Sequence, residues 1–222
     1  MISFIYFLGW YNIIQTQDFT KGVIWKQLLF FFFPILIGSF FQQLYNTVDT
    51  IIVGQAVGTS ALAAVGSTGN LTNLIVNFYV GLSTGASVVI AQYYGAQNNK
   101  KIHQAVHTSY ILAIVSGILM MLFGLFFSYQ CLDAIGTPHD ILNDATLYMQ
   151  LYFLCMIPGA IYNIGAGILR AVGDSKRPLY YLIVCSIVNV VFDFIFVVIF
   201  HQGIAGAAIA TVIAQSVCAI LV

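Results

Sequence analysis

The run PLYYLIVCSIVNVVFDFIFVVIF, residues 178–200, contains a single charged residue, Asp193, in an otherwise apolar stretch. A bilayer crossing needs about 20 mainly apolar residues in a helix, so this run is long enough to span. Working outward, further runs of spanning length fall at 27–53, 61–94, 104–130, 145–170 and 203–222. Helices are expected throughout, because an unclosed strand leaves backbone groups unpaired in lipid. The ten-residue alternating segments of a membrane barrel are absent. The expected fold is an all-α polytopic membrane protein, a bundle of six transmembrane helices.

Composition excludes the main alternatives. The chain has 222 residues, 60% hydrophobic and 6% charged, with a mean hydropathy of +0.95. In a soluble domain about a quarter of residues are charged. Seven basic and seven acidic residues, all of the latter Asp, cannot coat a water-soluble surface of this size. Zero net charge gives no reason to expect a nucleic-acid partner. Cys131, Cys155, Cys185 and Cys218 are scattered without ligand spacing and read as small buried hydrophobes.

Basic residues set the expected topology. Lys21 and Lys26 precede the first span, Lys100 and Lys101 occupy the second loop, and Arg170, Lys176 and Arg177 the fourth. The other loops hold no Lys or Arg, and the third carries Asp133, Asp140 and Asp144. All seven basic residues therefore fall on one side, which the positive-inside rule makes cytoplasmic, together with the N-terminus. Residues 1–19 are apolar but too short to span before the first polar stretch, and are expected to be an interfacial extension or an artefact of start-site choice. Residues 20–222 are expected to form one six-helix unit, truncated at its C-terminal end, since the chain stops inside an apolar run. A following six-span unit would enter in the same orientation and form a parallel repeat.

An Asp near the bilayer centre costs about 2.5 to 3.5 kcal/mol, so charged residues inside spans invite a functional reading. Asp193 lies sixteen residues past Arg177, roughly 24 Å at helical rise, in the outer half of the membrane. Asn189 is one turn earlier on the same face. The first span repeats the pattern in QQLYNTVDTIIVG, where Asn46 precedes Asp49 by three residues and Gln42 lies two turns back. Two helices from opposite ends of the chain thus present an Asn/Asp pair at similar depth, and a shared water-accessible cavity is expected. Burial disfavours the ionised carboxyl, which suits these groups to taking up a proton. The bland alternative is a carboxyl that snorkels or caps a helix near the outer interface.

Weaker candidates lie elsewhere. Tyr162 and Asn163 sit among Gly159, Gly165 and Gly167 in the fourth span, facing a cavity or bonding to a neighbouring helix. Pro34 and Pro158 are expected to kink their helices. His103 and His107 have metal-ligand spacing without a third ligand, beside lysines at a helix end. The Phe30–Phe33 run is expected to face lipid, and Tyr45, Tyr79 and Tyr162 to offer rings to a flat or cationic ligand. Small residues at four-residue spacing, such as Gly81 and Gly85, read as ordinary helix packing.

The stretches QQLYNTVDTIIVGQAVG, GLSTGASVVIAQYYGA, LRAVGDSKRP and NVVFDFIF, in this order, resemble the N-terminal lobe of the multidrug and toxic compound extrusion (MATE) family, in its bacterial branch. The resemblance implies twelve spans in two six-helix lobes in the bacterial plasma membrane, exporting amphipathic, often cationic, drugs in exchange for protons or sodium ions. It implies that Asp49, Asn163, Asn189 and Asp193 match a cation-linked site, with possible sodium at Asp49 and Asp193. Gln42, Tyr45, Asn46, Tyr79 and Tyr162 are candidates for the substrate cavity. No cofactor is expected beyond the coupling ion, H+ or Na+. The partners implied are the lipid bilayer, a small organic cation or drug, and the missing C-terminal six-helix lobe. Relative to the family pattern the chain lacks that second lobe and carries the extra N-terminal residues.

Three rivals were weighed. A flippase for lipids or lipid-linked sugars would line its cavity with basic residues, whereas no Lys or Arg lies well inside a span. An intramembrane aspartyl protease is disfavoured because neither acid sits in a GxGD motif and HExxH is absent; no enzymatic activity is expected. A half-size subunit working as a parallel dimer predicts export by this chain alone.

Overall fold

The computed structural model describes residues 23–222; the N-terminal extension expected over 1–19 lies outside them. Among the described residues the chain is helical with no strand. It forms α1 (Ile24–Ala56), α2 (Thr59–Gly95), α3 (Asn99–Ala134), α4 (His139–Phe153), α5 (Met156–Ala171), α6 (Lys176–Asp193) and α7 (Gly203–Leu221). A π-helical turn, Phe194–Ile199, extends α6. Five helices are long and apolar enough to cross a membrane, and α4 with α5 makes a sixth span bent by 50°.

The apolar run over 145–170 is thus broken near Pro158, where a kink is expected from the sequence. The cause lies at Pro158, which has no N–H to give to the Leu154 carbonyl and whose ring crowds that carbonyl. The chain tightens instead: Leu154 N–H donates to the Leu151 carbonyl at 3.1 Å and Cys155 N–H to the Tyr152 carbonyl at 3.0 Å. Pro34, by contrast, lies within an unbroken α1.

Short turns join the spans. Gly58, between α1 and α2, adopts φ +115°, a conformation that a side chain would strain. Asn98 caps α3, its side-chain oxygen accepting from Lys101 N–H at 3.2 Å. Ahead of α6, one oxygen of Asp174 accepts from the N–H groups of Lys176 and Arg177, and the other pairs with Arg177 Nε at 3.1 Å. This places Lys26, Lys100, Lys101, Arg170, Lys176 and Arg177 at the same end of the bundle.

Lipid tails are as apolar as Leu, so helices associate through close packing and hydrogen bonds rather than by escaping water. Small residues supply the close approach. Gly167 of α5 lies against Ser83 and Ser87 of α2, and Ser83 Oγ donates to the Asn163 carbonyl at 2.5 Å. On α3, a Cβ at Gly117 would come within 2.9 Å of Ile157 Cα, and Gly124 forms the notch that receives the Phe153 ring. The broken span therefore sits in a two-glycine groove of α3, with α5 buried between α2, α3 and α7. Outward faces are apolar: Phe30, Phe32 and Phe33 are exposed, as are Ile111, Leu119 and Phe126 of α3.

Gly124→Ala is expected to destabilise the bundle by about 1 to 3 kcal/mol, since the Phe153 ring has nowhere to retreat in a packed core. Gly81→Ala, whose added methyl meets nothing within 4 Å, is expected to be neutral. Thermal unfolding of the two variants in detergent checks the contrast.

A paired-carboxyl candidate site

Asp49 on α1 and Asp193 at the end of α6 meet because these two helices pack together through much of their length. Their carboxyls lie within hydrogen-bonding reach of each other. Asp193 is fully buried, and neither of its oxygens finds a donor among the described residues; the same holds for Asp49 Oδ1. A carboxylate only accepts, so the two groups can satisfy each other when one carries a proton or when a cation stands between them.

The backbone contributes. Asp193 is the last α-helical residue before the π-helical turn, where Phe200 N–H reaches five residues back to the Ile195 carbonyl. Such wide turns recur at functional positions in helices. One turn before Asp193, buried Asn189 donates through Nδ2 to Thr211 Oγ1 of α7 at 3.5 Å, and Thr211 passes its own proton to the Ala207 carbonyl at 3.1 Å. Asn189 Oδ1 is left without a donor. A cavity of about 10 Å³ opens between Tyr45, Asn189, Thr211 and Gln215, room for roughly one water.

Asp49, Asn189, Asp193 and Tyr45 thus come together as the sequence suggests. Tyr45 lies close to Gln42, Asp49 and Tyr162. Asn163 is engaged elsewhere: its Nδ2 donates to the Gly159 carbonyl of its own helix at 2.8 Å. Tyr162 Oη donates to the Pro178 carbonyl at 3.4 Å, tying α5 to α6. Tyr79 is buried, its hydroxyl unpaired, on the side of the bundle near Cys155. Gln42 and Asn46 are exposed on α1.

Sequence reasoning missed Tyr148 of α4, which is buried and approaches both carboxyls, and also missed Thr211. The signal for Thr211 was available as a lone hydroxyl in the small-residue run GIAGAAIATVIA; Tyr148 had none among so many aromatics. Cys185 and Cys218 are buried, as expected of small hydrophobes, and packing of α6 on α7 brings them together with Cα atoms 5.8 Å apart. The His103 and His107 rings lie against each other, centres 4.3 Å apart and planes tilted by 54°. Among the described residues no group of three or more His, Cys, Asp or Glu side chains could hold a metal.

The comparisons with known proteins agree with this architecture. The MatE family model matches residues 34–195. The chain is 30% identical over 204 residues to the Probable multidrug resistance protein YoeA of Bacillus subtilis, covering 90% of this chain and 44% of that protein. It is 29% identical over 204 residues to the Probable multidrug resistance protein YpnP of the same organism, covering 92% and 46%. Among solved structures, one of MATE in the bent conformation superposes with a TM-score of 0.87 at 27% identity, over 94% of this chain and 46% of that one. The chain spans a little under half the length of these relatives, which corresponds to one lobe. With six spans, a matched family model over most of its length and a close structural superposition, the chain belongs to the MatE family, the MATE transporters.

Proposed function

We propose that this chain is the N-terminal lobe of a cation-coupled antiporter that exports amphipathic or cationic organic compounds across a bacterial plasma membrane. The observation that carries the reading is the Asp49–Asp193 contact, two acids held at membrane depth with no basic partner among the described residues. Relatives named for multidrug resistance, and others named Multidrug export protein MepA from Staphylococcus species, support the substrate class. A ligand bearing phosphate would call for basic side chains at that depth. Those of the described helices instead sit at the helix ends proposed as cytoplasmic.

The coupling follows from charge. With the acid pair ionised, the lobe attracts a cationic compound; loading by H+ or Na+ neutralises the pair and removes that attraction. The ligand is released outward, and the cation rides inward on the return. Reciprocity requires that the ligand weaken cation binding by the same factor, typically a coupling of about 1 to 3 kcal/mol. Asn189 and Thr211 serve the loaded state by offering amide and hydroxyl oxygens beside the acids, and Asn163 and Asn46 are assigned supporting places on the neighbouring helices.

In a full-length transporter carrying this lobe, Asp193→Asn and Asp49→Asn are each expected to abolish efflux of a cationic dye driven by a proton or sodium gradient, with membrane insertion retained. Unchanged efflux in both variants rejects the proposal. Thr211→Val removes one oxygen and leaves the acids, so it is expected to raise the cation concentration needed for half-maximal efflux without eliminating transport. Titrating dye efflux from vesicles against sodium and against pH reads both effects and identifies the coupling ion.

A further inference from the structure

The small cavity beside Asn189 lies on one side of the acid pair. Tyr45 precedes Asp49 by four residues and Asn189 precedes Asp193 by four, on helices that both run from the basic end of the bundle toward the acids. The third wall, α7, runs the opposite way, and there Gln215 follows Thr211 by four. Four residues of helix are one turn on the same face, a step of about 6 Å. On α6 the lining continues past Asn189 to Cys185 and Leu182, further still toward the basic end. The cavity therefore lies between the acids and the end of the bundle proposed as cytoplasmic.

Its lining decides what it can hold. Cavities that stay dry are apolar, whereas one of this size takes a water when two to four polar partners surround it. Here Tyr45, Asn189, Thr211 and Gln215 supply hydroxyls and amides and no charge. Asn189 Oδ1 is buried and has no donor among the described residues. Thr211 Oγ1 accepts from Asn189 Nδ2 and gives its proton to the Ala207 carbonyl, which leaves it one lone pair. Gln215 brings both a donor and an acceptor. Polar groups also continue beyond the cavity: Tyr45 lies close to Tyr162, whose hydroxyl donates to the Pro178 carbonyl in the first turn of α6.

A cation that leaves two carboxyls inside a membrane needs other oxygens at once, because an unsolvated charge in a low-dielectric interior is very costly. We propose that the cavity binds one water, held by Asn189 and Gln215, and that this water is the first oxygen to take over the coupling cation as it departs toward the basic end. Gln215 is then a positioning residue that acts through the water and not on the acids. The inference rests on the antiport reading above and deepens it: loading takes place at Asp49 and Asp193, and unloading proceeds through a hydrated station one turn away. Neutral walls suit such a station, since a charged one would either trap the cation or repel it.

In a full-length transporter carrying this lobe, a density map that resolves ordered solvent is expected to show one water within hydrogen-bonding distance of Asn189 Oδ1 and the Gln215 amide. Gln215→Leu, similar in size but unable to hold it, is expected to lose that water and to lower gradient-driven dye efflux severalfold. Infrared titration of the protonated-carboxyl band in the same variant is expected to give the parental midpoint, because the acids are untouched. Gln215→Asn, which keeps the amide, is expected to recover much of the rate. A parent map without the water overturns the site. Parental efflux by Gln215→Leu, or a displaced carboxyl midpoint, overturns the role in release. The map and the titration are read without transport, so the water site stands or falls separately from efflux by the acid variants.

Discussion

Everything in this lobe is arranged around the cost of holding a polar group in hydrocarbon. A backbone amide, a carboxyl and a side-chain amide all lose water on entering the membrane, and each must find a replacement inside the bundle. Asp49 and Asp193 meet this constraint in its most demanding form, since the two carboxyls lie close together and both accept in their charged state. An arrangement of that kind is incomplete by construction. In the function proposed above it is completed by a proton or a small cation, a preference that follows from two acceptors facing each other.

Helix packing then determines where such a site can exist. Bundle cohesion comes from close contact, and the contacts are made by glycines and serines: Gly167 against Ser83 and Ser87, Gly117 against Ile157, Gly124 against Phe153. These fix α2, α3 and the broken span as one unit. The acid pair is formed by α1 and α6, and α7 supports it through Thr211. The site therefore lies beside these glycine and serine contacts rather than among them.

The spans and the positions of the acids were legible in the sequence because each depends on composition along one dimension: apolar run length and a lone Asp. Asp49 and Asp193 could be matched in depth by counting residues from the basic loops. What could not be read was anything that depends on which helix faces which. Tyr148 comes into electrostatic range of the acids because of how α4 packs beyond the break at Leu154 and Cys155, and Cys185 finds Cys218 because α6 lies along α7. That Asn70, Asn73 and Asn77 share the exposed side of α2 becomes legible only once the opposite face is known to be the buried one.

Two departures from regular helix flank the acid site, the break in the fourth span and the π-helical turn after Asp193. Irregular backbone is tolerated at membrane depth where protein or a wet cavity covers it, so both point to the same interior. They also differ in what they permit. The break separates α4, which carries Tyr148, from α5, which carries Tyr162 and Asn163, so the two halves can reorient while Phe153 and Ile157 stay seated in the groove of α3. The π-helical turn instead leaves α6 continuous and widens it beyond Asp193, where an inserted residue changes the direction in which the following side chains project.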